Sequence, residues 1–213
     1  KALLRAESAF VVDRTRGDAT SRVLANTYRL LAMTLVFSGL TATASVSFNL
    51  PFPGLIVTLV GYFGLLFLTS YLKNSAWGLV SVFALTGFMG FTLGPMLNAY
   101  LSMASGQAII ASAFSITGIS FIGLSLYAQH AEPKRFLAWE NFLMIGIITA
   151  FCLGVSAVVL NLPALSLAVS GLFVLLMAGL ILYQTQSILS GGETNYIMAT
   201  VTLYVSIFNL FTS

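Results

Sequence analysis

The chain has 213 residues, of which 58% are hydrophobic and only 7% are charged, and its formal net charge is +3. Soluble domains carry about 25% charged residues, so this composition excludes a soluble globular fold. The small excess of Lys and Arg does not indicate nucleic-acid binding either, because most of these cations lie at the ends of apolar runs rather than on a basic patch.

Seven uncharged apolar runs are long enough to cross a bilayer. A hydrocarbon core of about 30 Å requires about 20 apolar residues in helical form. The runs are too long and too uniformly apolar for barrel strands, and lipid offers no partner to an open sheet edge. The sequence therefore predicts an all-α integral membrane bundle of seven transmembrane helices. The predicted spans are Tyr28–Phe48, Pro53–Tyr71, Trp77–Ala99, Gly106–Tyr127, Phe136–Leu160, Pro163–Ile188 and Asn195–Thr212.

Lysine and arginine near the span ends predict the orientation of the chain, because cytoplasmic loops are enriched in these residues. Six of the nine cations precede or open the first span. Lys73 lies between spans two and three, and Lys134 and Arg135 lie between spans four and five. The connections on the other side contain none. We therefore expect the N-terminus inside and, after seven spans, the C-terminus outside.

Residues 1–20 carry alternating charges and no long apolar segment, so they do not resemble a signal peptide. We expect an unstructured cytoplasmic N-terminal tail over 1–20, followed by one transmembrane domain over 21–213. The connections between the spans are short. Sequential spans are therefore expected to pack as antiparallel neighbours.

Small residues recur on the third span, where Gly87, Gly90 and Gly94 are three and four residues apart. This spacing places them on one strip of a helix, which a neighbouring helix can approach closely. Pro95 follows directly and removes a backbone donor, which predicts a kink or local unwinding near the outer end of the span. A broken helix with convergent polar groups would instead mark a substrate site.

No acidic or basic side chain lies in the middle of a predicted span, although such residues usually mark proton relays and ion pathways. His130, the only histidine, is expected in a solvated inner loop, and with the distant Cys152 it cannot complete a tetrahedral metal site. A single cysteine also excludes an internal disulfide. A serine nucleophile would lack a credible base. We therefore predict no catalytic, cofactor-binding or metal-binding residues, and a protein that is not an enzyme.

The polar side chains that remain inside the spans are Gln184-Thr185-Gln186 near the inner end of span six, and Ser206 and Asn209 on span seven. The candidate site residues among them are Gln184, Thr185, Ser206 and Asn209. Ser206 and Asn209 share a helical face because they are three residues apart. Amides and hydroxyls in lipid form interhelical hydrogen bonds, which predicts a lock between spans six and seven. The alternative is a polar lining for an ion or water path.

Several short stretches are typical of one membrane-protein family. They are Asn26-Thr27-Tyr28, Pro53-Gly54-Leu55-Ile56, Thr58-Leu59-Val60-Gly61, Thr86-Gly87-Phe88, Leu93-Gly94-Pro95-Met96-Leu97-Asn98, Leu162-Pro163-Ala164-Leu165, Gly191-Gly192-Glu193-Thr194-Asn195-Tyr196-Ile197 and Leu203-Tyr204-Val205-Ser206. From Val23 onward the chain resembles the bacterial branch of the Bax inhibitor-1 (TMBIM) family. The resemblance implies seven spans in a bacterial inner membrane, surrounded by membrane lipid.

The resemblance also implies a regulator of membrane-protein degradation, which binds the FtsH AAA protease together with its HflK and HflC partners. In this reading the tail is a handle for the protease. An ATP-driven protease needs an accessible starting segment, and residues 1–20 are charged and lack apolar periodicity. The alternative is a tail that only sets the orientation of the chain.

Other members of the family form a pH-sensitive calcium leak through two aspartates on spans six and seven. In this chain Gln184 stands at the first of these positions and Ser206 at the second. Neither side chain changes its charge between about pH 5 and 8, so acid gating by this pair should be missing. A pH-insensitive or weak cation leak, with calcium as the ion, is the alternative function. A scaffold subunit of a larger membrane assembly is a third.

Overall fold

The computed structural model describes the backbone of residues 2–213 and the side chains of residues 17–213. Over this part of the chain it contains seven helices, one short 3-10 turn at Leu137–Trp139 and no strand. The helices are α1 (Ala2–Ser47), α2 (Leu55–Leu72), α3 (Trp77–Leu101), α4 (Gly106–His130), α5 (Glu140–Val159), α6 (Pro163–Leu189) and α7 (Tyr196–Thr212). Six of them contain an apolar segment long enough to cross a membrane, and α7 is a shorter apolar helix of 17 residues. The predicted all-α membrane bundle is confirmed.

The start of α1 differs most from the predicted bounds. The helix begins at Ala2 instead of Tyr28, so residues 2–20, expected to be unstructured, have a helical backbone. This stretch contains four Ala, three Arg and two Leu, which are good helix formers, and no proline, so alternating charges do not interrupt the helix. Its apolar membrane-crossing part is Gly17–Ser47. The side chains of residues 1–16 lie outside the described residues, and a cytoplasmic tail ending at residue 20 stays a prediction.

Two connections at the same end of the bundle begin with the same turn. Asn49 follows α1 with φ 54° and Asn161 follows α5 with φ 50°, a left-handed conformation that asparagine tolerates. In both turns the next residue, Leu50 or Leu162, donates its N–H to a carbonyl five residues earlier, at 3.0 and 2.9 Å. This is the Schellman arrangement, which gives partners to the last carbonyls of a helix.

The helices pack only partly in chain order, since α2 with α3, α3 with α4, α5 with α6 and α6 with α7 are in contact as predicted. α1 packs mainly against α3 and also against α7, while α4 and α5 both pack against α6. The expectation that sequential spans are neighbours is therefore wrong for α1 with α2 and for α4 with α5. The reason is that α3 presents its small residues to α1, as described below.

The main buried cluster lies among α1, α3, α6 and α7, and its fully buried side chains include Leu31, Leu85, Ile181 and Leu203. By contrast, Thr69 is the one buried residue of α2. α2, α4 and α5 thus present most of their apolar side chains outward, as expected for helices that face lipid.

Candidate functional site

Helices α1 and α3 approach each other closely at Gly90. A Cβ atom built on Gly90 would overlap the carbonyl oxygen of Ser38 and the side-chain oxygen of Thr41. The absent side chain therefore lets α3 lie directly on the backbone of α1, as small residues allow in membrane helix pairs.

The other two glycines of the strip also face α1. A Cβ atom on Gly87 would lie 2.7 Å from the ring of Phe37, and one on Gly94 would overlap the side chain of Ser45. Pro95, the next residue, lies inside α3, which remains helical to Leu101. The predicted local unwinding at Pro95 is therefore not observed, and no substrate site is formed by a broken helix at this position.

A hydrogen-bonded tyrosine ties three helices together inside the bundle. Tyr204 on α7 is 1% exposed, and its hydroxyl is hydrogen-bonded to the hydroxyl of Ser38 on α1. The Tyr204 hydroxyl also donates to the carbonyl of Thr86 on α3, at 3.3 Å. Because the tyrosine proton goes to Thr86, Ser38 is the donor in the other bond. Sequence reasoning did not select Tyr204 as a site residue. A tyrosine within an apolar span was the available signal, because a buried phenol usually has a partner.

The four predicted polar residues do not form the expected lock between α6 and α7. Ser206 and Asn209 each donate to a carbonyl one turn earlier on α7 itself, at 2.8 Å. The side-chain nitrogen of Gln184 and the hydroxyl of Thr185 are buried and have no hydrogen-bond partner in the structure. The hydroxyl groups and amides selected from the sequence therefore do not join the two helices.

Only one of these four residues, Asn209, lines a cavity of 360 Å³ among α2, α3, α5, α6 and α7. Thr58, Thr92 and many apolar side chains also line it. Gln184, Thr185 and Ser206 do not line this cavity.

An amide that was not predicted as a site residue connects α6 to the α4–α5 connection. Gln186 is 2% exposed. Its side-chain oxygen accepts the N–H of Phe136, and its side-chain nitrogen donates to the carbonyl of Glu132, both at 2.8 Å. A longer bond of 3.4 Å reaches the carbonyl of Ala128 on α4. One side chain therefore fixes a connection about 50 residues away in the sequence, which no local pattern could indicate.

Asn195 has the same role between two other connections. Its side-chain oxygen accepts the N–H groups of Ile197 and Met198 and so caps α7. Its side-chain nitrogen donates to the carbonyl of Lys73 at 3.0 Å and to the side chain of Asn74 at 2.9 Å. The connections α2–α3 and α6–α7 are thereby joined.

We call this end of the bundle, formed by the connections 73–76, 131–139 and 190–195, the basic end. Five cations lie at or near it, and all are exposed. They are Arg22, Arg29, Lys73, Lys134 and Arg135. The carboxylates Glu132, Glu140 and Glu193 lie at the same end, so the basic end carries charges of both signs, and its connections are held by Gln186 and Asn195.

Among the described side chains, no group of three or more His, Cys, Asp or Glu could hold a metal ion. The sequence had suggested that His130 lies in an inner loop. In the structure it is the last residue of α4. Its ring Nδ1 lies 2.8 Å from the carbonyl oxygen of Leu126. Cys152 is a free, exposed thiol on α5.

Residues 20–213 match the family described as inhibitor of apoptosis-promoting Bax1. The chain belongs to the Bax inhibitor-1 family. Among the relatives of this family member, an uncharacterized protein of Pseudomonas aeruginosa is 51% identical over 193 residues, which cover 91% of this chain and 86% of the relative. The modulator of FtsH protease YccA of Escherichia coli K12 is 49% identical over 202 residues, covering 94% and 91%. The inner membrane protein YccA of Escherichia coli O6:H1 matches to the same extent.

This membership confirms the resemblance to the Bax inhibitor-1 family that was inferred from the sequence. The Bax inhibitor-1 family is not a known enzyme family. The predicted location in the inner membrane is also confirmed, since the apolar helices are long enough to cross a membrane and a relative of nearly equal length is named an inner membrane protein.

Proposed function

We propose that this protein is a non-enzymatic regulator of a membrane-bound protease of the FtsH type, and that it modulates the degradation of other membrane proteins. The observation that carries the proposal is the identity of 49% to a named modulator of FtsH protease, which extends over 94% of the chain. Similarity over the whole bundle favours a shared binding surface over a shared fold alone. HflK and HflC are the further partners that we expect in the complex.

The basic end is the surface that we assign to the partner. The excess of Lys and Arg at this end supports a cytoplasmic location by the positive-inside rule, with the C-terminus outside. Its connections are held by Gln186 and Asn195, so little conformational entropy would be lost on binding. The exposed cations would contribute mainly to the rate and specificity of association.

The N-terminal segment is proposed as the handle by which the protease engages this chain. In the structure its backbone continues α1 as a helix from Ala2. An isolated helix of this length is marginally stable in water, so an ATP-driven protease could unwind it with little resistance.

Two sets of variants test the handle and the surface separately. In cells that contain the protease, deletion of residues 1–20 should lengthen the half-life of this chain. The triple variant Lys73→Gln, Lys134→Gln and Arg135→Gln should reduce co-purification of FtsH, HflK and HflC in mild detergent. An unchanged half-life beside an active protease would rule out the handle. Co-purification unaffected by the triple variant would rule out the basic end.

A cation leak, with calcium as the ion, is the second candidate function. It is favoured by the buried nitrogen of Gln184 and the buried hydroxyl of Thr185, which have no protein partner and could contact water or an ion. Calcium flux into liposomes that contain the purified protein tests it. The proposal expects a flux that does not change between about pH 5 and 8, since no acidic pair is present at Gln184 and Ser206. No flux at any pH would exclude it.

A further inference from the structure

A long apolar groove lies at the end of the bundle opposite the basic end. It has a volume of 520 Å³ and is formed by α1, α3, α4 and α7. Its lining starts at the helix ends with Val46, Leu101, Ile110 and Phe211 and reaches inward to Tyr204. The groove therefore runs along the helices instead of crossing the bundle.

The length of the groove matches the depth of one leaflet. Its walls extend from Leu35 to Val46 on α1 and from Ile110 to Phe121 on α4. At 1.5 Å per helical residue, both stretches are about 16 Å long. Half of a hydrocarbon core of about 30 Å is about 15 Å. The groove thus ends near the middle of the membrane.

The groove opens sideways toward lipid. α1 and α4 form its two edges, and Phe114 on α4 is 57% exposed while Leu35 on α1 is 36% exposed. Gly39 and Gly118, one on each edge, have open space where a side chain would be. A molecule already in the bilayer could therefore enter without passing through water.

The lining complements an uncharged apolar chain. It contains no acidic or basic residue. Its polar groups include Ser38 and Tyr204, which are bonded to each other, and Thr43, which donates to the carbonyl of Gly39 at 2.8 Å. An occupant therefore need not supply hydrogen bonds there. The three connections at this end also carry no Lys or Arg, so no cation selects a headgroup.

We propose that this groove binds one acyl chain of a phospholipid from the leaflet opposite the basic end. The chain would enter between α1 and α4, and its terminal methyl group would lie near Tyr204. Burial of successive methylenes supplies the affinity, so recognition depends on the acyl chain and not on the headgroup.

The test uses the whole protein in vesicles of phosphatidylethanolamine and phosphatidylglycerol, with a trace of phosphatidylethanolamine that carries a diazirine near the end of one acyl chain. After illumination, labelled peptides are measured by mass spectrometry. Because the diazirine would lie near Tyr204, we expect residues 35–39 and 117–121 to carry several-fold more label than α2, which is exposed to bulk lipid. Gly118→Trp should fill the groove and lower its label several-fold. Gly64→Trp is the matched control, because Gly64 also has open space but lies on α2.

Three outcomes would overturn the proposal. The first is label in the groove no higher than on α2, and the second is a groove signal that Gly118→Trp leaves unchanged. The third is a chemical cross-link between two copies across the groove, which would identify a second copy as the occupant. If Gly118→Trp fails to fold, Gly39→Trp fills the groove from the other edge. None of these outcomes bears on protease regulation at the basic end.

Discussion

Substituting Gly90 by alanine should destabilise the bundle, although alanine is the better helix former. The new Cβ atom would overlap the carbonyl oxygen of Ser38, which belongs to the backbone of α1 and cannot rotate away. α1 and α3 must then separate at this contact. Overpacking of this kind costs about 1–3 kcal/mol. The gain in helix propensity from Gly to Ala is about 1 kcal/mol, so we expect a net loss of up to about 2 kcal/mol.

The assay is unfolding in mixed micelles that contain a rising fraction of a denaturing detergent. Circular dichroism measures the loss of helix. Gly64→Ala on α2 is the matched control, because no atom lies within 4 Å of the added methyl group. The difference in unfolding free energy between the two variants gives the packing cost, because both variants gain the same helix propensity. Gly87→Ala should cost less than Gly90→Ala, since the ring of Phe37 can move. If Gly90→Ala is as stable as Gly64→Ala, the assigned contact between α1 and α3 is wrong.

Three further predictions use the same unfolding assay. Gln186→Leu should cost about 2–3 kcal/mol because it leaves backbone groups of the α4–α5 connection unpaired, whereas Gln184→Leu should be neutral or stabilising because the amide nitrogen that it removes has no partner. Equal losses for the two variants would contradict this assignment. Asn195→Ala should cost about 1–2 kcal/mol through the lost cap of α7, and amide exchange should also accelerate in residues 73–76, whose connection Asn195 holds. Acceleration confined to α7 would show that the two connections are not coupled. Tyr204→Phe should cost about 1–2 kcal/mol, because it removes two interhelical hydrogen bonds. If Ser38→Ala in the Tyr204→Phe background costs as much as it does alone, the two hydroxyls do not interact.

The number and rough position of the helices could be predicted because lipid offers no hydrogen-bond partners. Each apolar run must therefore form its backbone hydrogen bonds within itself, as a helix does. The end of α1 at Ser47 lies one residue from the prediction, while its start at Ala2 lies far from the predicted Tyr28. The extent of an apolar segment indicates which residues cross the membrane, but it does not indicate where the helix begins. Residues 2–27 contain good helix formers, so their backbone can stay helical beyond the apolar segment.

The contacts of α1 with α3 and of α4 with α6 could not be predicted, because short connections permit more than one arrangement. The strip of Gly87, Gly90 and Gly94 indicated a close helix contact, but nothing in the spacing identified α1 as the partner. Gln186 and Asn195 were missed as connecting residues for a related reason. Their partners are mainly backbone groups, which every residue possesses and which therefore leave no trace in the sequence.

The location of the interhelical hydrogen bonds explains why the two ends of the bundle suit different partners. Within the spans, most hydroxyl groups such as those of Thr69 and Ser206 donate to their own helix, so these bonds survive when helices move apart. At the basic end, Gln186 and Asn195 bond to other connections, and their bonds break if those connections move. The basic end therefore offers a protein partner connections that are bonded to one another. At the opposite end, Asn98 donates to Asn49 and Ser170 donates to the carbonyl of Ser213, but the groove itself is lined mainly by apolar side chains, which can adjust to an acyl chain.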